Sequence, residues 1–396
     1  MILVVNAGSS SIKFKLFNTS DSKNPVALVD GLAERISVDG RLTIEVDGEK
    51  HVFEDKMNDH LDAVKLILAK FTDLKVIEKP EDIKGIGFRI VHGGDKIVET
   101  VELTQEIKKT IEDNIRLAPL HNPGALTSIN AFQESLPNAK LVGCFDTSYH
   151  QTMPEISYMY NVPYEWYTDL KVRKYGFHGI SYEYIAFKAQ EIFNKKQDDL
   201  NLIVCHLGNG ASICAIKNGK SYNTTMGLTP LAGLMMGTRS GDIDPSIIQY
   251  VAKETQKDVF QITDILNKES GLHGVSKVSS DMRDVIAEAQ NNNPKAKLAL
   301  DLYTQTVADF VVKFANQIND KIDGIIFTAG IGENASLVRE KVINKCGLLG
   351  LEIDSTLNDQ KYSDYLAISS SNSKIQVLKV RTNEELMICN ETLRFL

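Results

Sequence analysis

The sequence predicts an α/β fold built on a duplicated unit, and three observations carry that prediction. Apolar strand-like runs alternate with helical patterns along the chain, which indicates sheets covered by helices. The opening MILVVNAGSSSIKFKLF has an echo in NLIVCHLGNGASICAIKNGKSY: Ile2 to Gly8 lies over Leu202 to Gly208, and both runs pass through small polar residues into a second strand. A second pair, KGIGFRIVHGG (84–94) and DGIIFTAGIGE (323–333), follows in the same order, each strand again ending in glycines. Strand-to-glycine turns are common, so either pair alone is weak. Two pairs in one order indicate duplication.

Taken in order, Ile2 to Val5 and Ile12 to Phe17 read as strands around the polar turn that starts at Asn6. Helical patterns follow at Asp59 to Phe71, Leu103 to Leu117 and Pro123 to Ser135, the last with Asn122 as N-cap and proline at the first helical position. KLVGCFD is a strand ending in Asp146, and the proline-bearing region near 150–165 beyond it is the expected hinge. A helix at Ser181 to Phe193 precedes the second strand pair, and a long one runs from about Pro294 to Ile322. The closing IQVLKVRTNEELMICNETLRFL is a strand followed by a helix, where Thr382 and Glu385 match a capping box. If Glu385 folds back on the cap, its neighbour Glu384 is left to reach a metal or its waters. No low-complexity linker interrupts the chain.

The 396 residues exceed one ordinary domain and predict two or three. With 43% hydrophobic and 24% charged residues, the chain is globular and able to build a sizeable core. Acidic residues outnumber basic ones, 52 to 44, and no basic stripe is present, which argues against nucleic acid as a partner. Lys195 and Lys196 beside Asp198 and Asp199 read as a solvated helix end. Ile2 to Val5 is too short for a signal-peptide core and nothing approaches a membrane span, so a soluble cytoplasmic protein is expected. The five cysteines form no Cys-x-x-Cys pair, which favours buried reduced thiols over disulfides or zinc.

The two glycine turns, Gly8-Ser9-Ser10-Ser11 and Gly208-Asn209-Gly210-Ala211, match neither the P-loop nor the Rossmann pattern. Each alone reads as a hairpin turn. As equivalent turns of duplicated halves, they make a phosphate clamp. Arg89 in GFRIVHGG and Arg239 in GLMMGTRSGDIDP are flanked by apolar residues and glycines, which suits either a structural salt bridge or a fixed anion site. Of the eight histidines, none pair at His-x-x-x-His spacing, against a histidine zinc site. His92, His121 and His206 read as core or loop residues by default. His178, between Gly176 and Gly179 just ahead of a helix, is placed to touch a passing phosphoryl group. Asp146 at a strand end is either functional or a helix cap, and Asp281 is also able to cap a helix.

At this point the strings NAGSSSIKF, RIVHGG, APLHNP, FDTSYHQTMP, YGFHGIS, HLGNGAS, GLTPLAGLMMGTRSGDIDP, FTAGIGEN and TNEEL, in that order, are in view. The chain resembles the acetate kinase family from end to end. The resemblance implies two ribonuclease H-like, actin-like ATPase domains around a central nucleotide cleft: residues 1–150 with about 383–396, and 151–382, the latter carrying the nucleotide pocket and a dimer interface. It implies reversible transfer of the ATP γ-phosphoryl group to acetate, with Mg²⁺ or Mn²⁺ as the metal, and a homodimer. Arg89, Arg239, His178 and Asp146 fall on catalytic positions, and Arg89 also on the carboxylate site. Asn6 and Glu384 fall on metal-associated positions. Asn209 and Gly210 match the second phosphate loop, and Asp281, Arg283, Gly330 and Gly332 the adenosine pocket. Ser9, Ser11, Lys13, His206, Leu207, Gly208, Met282, Ile331, Glu333 and Asn334 complete the nucleotide and phosphate set. Val91, Leu120, Phe177 and Pro230 fall on the pocket for the acyl methyl group. One departure is visible: Phe88 stands before Arg89 where the family commonly has histidine, either a packing change or an altered support for Arg89. Propionate is the alternative acceptor, and an actin-like or chaperone-like ATPase is the reading from another class.

Overall fold

The computed structural model describes residues 1–119 and 121–396. They form two compact units, Met1–Tyr149 with Asn383–Leu396, and His150–Thr382.

The first unit holds β1 (Ile2–Ala7), β2 (Ser11–Asn18), β3 (Val26–Glu34), β4 (Arg41–Val46), β5 (Glu49–Phe53), β6 (Gly85–Ile90), β7 (Val101–Glu102) and β8 (Lys140–Phe145) in one sheet, ordered β5-β4-β3-β2-β1-β6-β8-β7. The second unit holds β9 (Leu202–Leu207), β10 (Ala211–Lys217), β11 (Lys220–Thr224), β12 (Gly324–Thr328), β13 (Tyr365–Ala367) and β14 (Gln376–Val380), ordered β11-β10-β9-β12-β14-β13. Within these, β3-β2-β1-β6-β8 and β11-β10-β9-β12-β14 are one arrangement twice: an antiparallel meander of three strands, then two strands parallel to its first. That is the ribonuclease H-like order, repeated. Even the register repeats, since Ile2 pairs with Gly85 and Gly85 with Lys140, while Leu202 pairs with Gly324 and Gly324 with Gln376.

Central strands covered on both faces must be continuously apolar, and β9 is buried at every residue. In the first unit the faces are cleanly divided. Leu3, Val5, Ile86, Phe88, Ile90, Leu141 and Phe145 join Val64 and Ile67 of the helix His60–Asp73 and Ile129 and Phe132 of the helix Asn122–Ser135 in one core. Phe88 packs edge-on against Phe132, with ring centroids 5.8 Å apart. The residue that departs from the family pattern therefore points away from Arg89. On the opposite face lies the helix Glu384–Leu393, and it approaches so closely that a Cβ on Gly87 would collide with Thr392 Oγ1 and Ile388.

Several local expectations are corrected. The last helix is capped by Asn383, whose side chain accepts from the Leu386 N–H, and not by Thr382. The Glu385 carboxylate instead binds Lys13 at 2.8 Å. The long helix ends at Ile318, because Asn319 turns left-handed with φ 46°. Asn122 lies inside its helix and spends its amide on the His92 carbonyl at 3.0 Å. The helix expected over 103–117 spans only Gln105–Asp113. All five cysteines are buried. No helix among the described residues is long and apolar enough to cross a membrane.

Candidate active site

Side chains alternate along a strand, so Asn6, Arg89 and Asp146 fall on the face of the first sheet opposite Leu3, Phe88 and Phe145, at the C-terminal ends of three adjacent parallel strands. This is where open α/β sheets place functional groups. The Arg89 guanidinium makes two parallel bonds to Asp146, 3.0 and 2.9 Å, and a third contact at 3.2 Å to Glu384 at the start of the last helix. Burial works against the Arg89 charge, but Asp146 and Glu384 more than offset it and raise its pKa. Burial pushes the Glu384 carboxyl up, with Arg89 opposing. Glu384 is thus ion-paired with Arg89.

The turn Gly8 to Ser11 stands beside this cluster in sequence and is clamped by two contacts. His60 Nε2 lies 2.9 Å from the Gly8 carbonyl, and Gly124 packs so near that a Cβ there would sit 2.7 Å from the Gly8 carbonyl carbon. The N-terminal end of the helix Asn122–Ser135 therefore abuts the turn, which favours an anion. Ser9 is exposed and Ser11 half-buried. Lys13 is exposed beside them; burial lowers its pKa, but the bond to Glu385 prevails and raises it. Val91 is half-buried just past β6, and Leu120 lies outside the described residues.

In the second unit His178 stands at the head of the helix Gly179–Phe193 in the left-handed region, φ 59°, an uncommon conformation for a residue with a side chain. Gly176 before it has φ 77° and no room for a Cβ beside His150 and Thr224. Phe177 between them is buried, and its carbonyl lies 2.9 Å from His150 Nε2. Arg239 Nη1 donates to the Pro230 carbonyl at 3.3 Å. Among the described residues Arg239 has no carboxylate partner, and desolvation alone lowers its pKa. A Cβ on Gly210 would lie 3.4 Å from Arg239 Nη1 and 3.6 Å from His178 Nε2. The two groups converge on the glycine turn.

Beside that turn a cavity of about 820 Å³ is lined by Gly208, Asn209, Asp281, Met282, Arg283, Gly330, Ile331 and Asn334, all expected from sequence. Asp281 caps the helix Met282–Gln290 and binds the Arg283 guanidinium at 2.6 Å, which holds its carboxyl down at about 2. Ile286, Gln290 and Leu337 also line the cavity and were not anticipated. Arg283, Ile286 and Gln290 recur at helical spacing, a signal that marks one face. Other expected residues are turned elsewhere. Glu333 accepts from the Ala329 and Thr382 N–H groups, the Gly332 carbonyl accepts from Arg339, and His206 and Leu207 are buried in β9.

The repeated register sets the two units in correspondence. Asn6, Arg89 and Asp146 occupy the sheet positions of His206, Thr328 and Thr382. The first unit thus carries an amide and two charges where the second carries an imidazole and two hydroxyls. Glu384 bridges to Arg89 from the helix that follows β14; in the second unit Ser181 plays the like part, 2.9 Å from His206 Nδ1 and 2.8 Å from Thr382 Oγ1.

The sequence model of the acetokinase family matches residues 1–390. The acetate kinase of Mycoplasma capricolum is 57% identical over 396 residues, all of both chains, and that of Clostridium botulinum 45% identical over 394 residues, 99% of this chain and 98% of the relative. The crystal structure of Porphyromonas gingivalis acetate kinase superposes with a TM-score of 0.94 at 40% identity, covering 99% of this chain and 98% of that one. A propionate kinase from Francisella tularensis superposes with a TM-score of 0.91 at 41% identity, covering 99% of both.

Proposed function

The chain belongs to the acetokinase family, and on that premise we propose how it works as an acetate kinase. An acetate oxygen bonds to the γ-phosphorus of ATP as the bond to the β-phosphate oxygen breaks, giving acetyl phosphate and ADP, and the reaction is reversible. Acetate is already ionised at neutral pH, so no general base is required. The obstacle is the approach of one anion to another, and such transfers are catalysed by positioning and charge stabilisation.

The observation that carries this reading is the convergence of Arg239 and His178 on the Gly210 turn beside the large cavity. We assign those two donors to the phosphoryl group in transfer and Arg89 to the acetate carboxylate. Asp146, bound twice to Arg89, is a positioning residue; a base there would only repel the acceptor. Ser9, Ser11, Lys13 and Gly208 to Gly210 serve the phosphates, and Asp281, Arg283, Gly330 and Ile331 the adenosine. Val91, Leu120, Phe177 and Pro230 serve the methyl group.

For the metal, Asn6 and Glu384 offer one amide and one carboxylate on the same face of the first sheet, and no group of three or more His, Cys, Asp or Glu is present among the described residues. So sparse a set fits Mg²⁺, which keeps several waters and takes most of its ligands from phosphates; Mn²⁺ has the same oxygen preference. When bound, the ion would neutralise phosphate charge. A homodimer through the second unit is supported by Ile247, Tyr250, Val259 and Phe260, exposed on the helices Ser246–Thr255 and Val259–Lys268, and light scattering tests it. A cytoplasmic location completes the reading.

Propionate is the second acceptor to consider, since the Francisella propionate kinase is as similar as the Porphyromonas acetate kinase and one methylene alters discrimination by only ~1 to 3 kcal/mol. Trapping acyl phosphate with hydroxylamine, using MgATP with acetate, propionate or butyrate, tests the proposal. Acetate is expected to lead and butyrate to trail. Propionate leading would redraw the pocket around Phe177, and no acyl phosphate with any acid would leave an ATPase of the binding class.

A further inference from the structure

To stabilise a phosphoryl group, His178 must present an N–H at Nε2, the nitrogen nearer Gly210. A neutral imidazole has one proton, and the partner of the other nitrogen decides where it sits. His178 Nδ1 lies 2.8 Å from Ser212 Oγ, and that oxygen lies 2.5 Å from Tyr182 Oη. Ser212 and Tyr182 are both fully buried. A serine that receives the phenol proton has its own proton left for Nδ1, and the imidazole proton must then be on Nε2. The reverse order, Nδ1–H to Ser212 to Tyr182, would put a lone pair towards the phosphates.

We infer that Tyr182 and Ser212 form a hydroxyl relay that fixes His178 as its neutral Nε2–H tautomer, which makes both of them positioning residues for phosphoryl transfer. The inference rests on the role assigned to His178 above. Three further observations support the direction of the relay. Burial raises the Tyr182 phenol well above its ordinary value, so the donor proton is always present. Thr224, the other hydroxyl near Tyr182, donates to the Ile213 carbonyl at 3.0 Å, whereas the short contact of the phenol, 2.5 Å, is with Ser212 Oγ, the nearer acceptor for its proton. The surroundings of His178 already hold a cation and a second ring: Arg239 shares the Gly210 turn, and His206 stacks on His178 with centroids 4.2 Å apart. His206 is itself held by Ser181, which is bonded in turn to Thr382, so the stacking platform is fixed from behind. A neutral donor with an assigned tautomer meets the chemical need without a second cation.

Nitrogen-15 NMR of the histidine-labelled protein reads the tautomer directly. The expected spectrum has His178 Nδ1 unprotonated and Nε2 protonated at neutral pH; the opposite pattern overturns the relay. Tyr182→Phe frees Ser212 to accept from Nδ1–H, so kcat is expected to fall about tenfold at neutral pH, a fraction of what losing a whole donor costs. The loss should shrink as pH drops below the ordinary histidine range, where both ring nitrogens carry protons, while the KM for ATP is unchanged. Ser212→Ala should show the same profile. A deficit equal at every pH in both variants would mean a structural role and also overturn the relay. Near wild-type turnover for His178→Ala would instead remove the histidine from the reaction, leaving the NMR result to stand or fall alone.

Discussion

His150 is a buried strut beneath the second unit's site, and replacing it with glutamine isolates a pH dependence whose size follows from its surroundings. Its Nδ1 lies 2.7 Å from Ser221 Oγ and its Nε2 2.9 Å from the carbonyl of Phe177, the residue before His178. Burial lowers the imidazole from 6.5 to about 4. In the unfolded chain it takes up a proton at its ordinary value, whereas the folded chain refuses one until about pH 4. Between those values the unfolded state binds more protons, so stability falls as pH falls. The full window is 6.5 less 4, or 2.5 pH units, which amounts to about 3 kcal/mol. Above the upper value this histidine contributes no pH dependence. His150→Gln keeps an N–H for the Phe177 carbonyl and cannot titrate. Urea midpoints should therefore favour the wild type at neutral pH, and the gap should close by about 3 kcal/mol on acidification to the lower limit. His92, also lowered to about 4 by burial, leaves a residual slope in the variant. Wild-type and variant curves that stay parallel across the window would refute the reasoning.

Three other outcomes are expected. Arg239→Ala should lose at least ~100-fold in turnover, as for other single charge-stabilising donors, and near wild-type kinetics would take it out of the site. Gly87→Ala should destabilise the protein by about 1 to 3 kcal/mol through overpacking against Thr392 and Ile388, with a fall in activity because Glu384 rides on the displaced helix; unchanged melting would contradict the close contact. Glu384→Gln should melt no lower than wild type at neutral pH while losing at least ~10-fold in turnover. The raised carboxyl pKa means that, above the unfolded value, the unfolded chain ionises first and stability falls as pH rises. A marked drop in melting temperature would show that the charge stabilises the fold.

The duplication was legible because β1 and β9 are both continuous apolar runs ending in a glycine turn, and β6 and β12 end likewise. The third equivalent pair, β8 and β14, was not, since KLVGCF and QVLKV share only apolar character and their successors, Asp146 and Thr382, differ in chemistry. Arginines in apolar strands announce a partner without naming it: Arg89 has two carboxylates, one from the far end of the chain, and Arg239 has none among the described residues. Ser181, Tyr182 and Ser212 carried no signal, because a serine or tyrosine in a helix or strand is ordinary until the fold brings its partner within reach. The false capping box at Thr382 failed for a related reason. Glu385 has the right spacing, but Lys13, distant in sequence, offers it a charged partner that a backbone N–H does not match.

The helix Glu384–Leu393 has a consequence for how the molecule is made. A ribosome releases residues in order, so β1, β6 and β8 emerge long before the helix that covers them, with the entire second unit synthesised in between. Throughout that interval Gly85, Gly87 and their neighbours present an uncovered sheet face, a surface for chaperones to shield. The same helix delivers Glu384 to Arg89. A nascent chain thus acquires the second carboxylate on Arg89 only after the whole of the second unit has been translated.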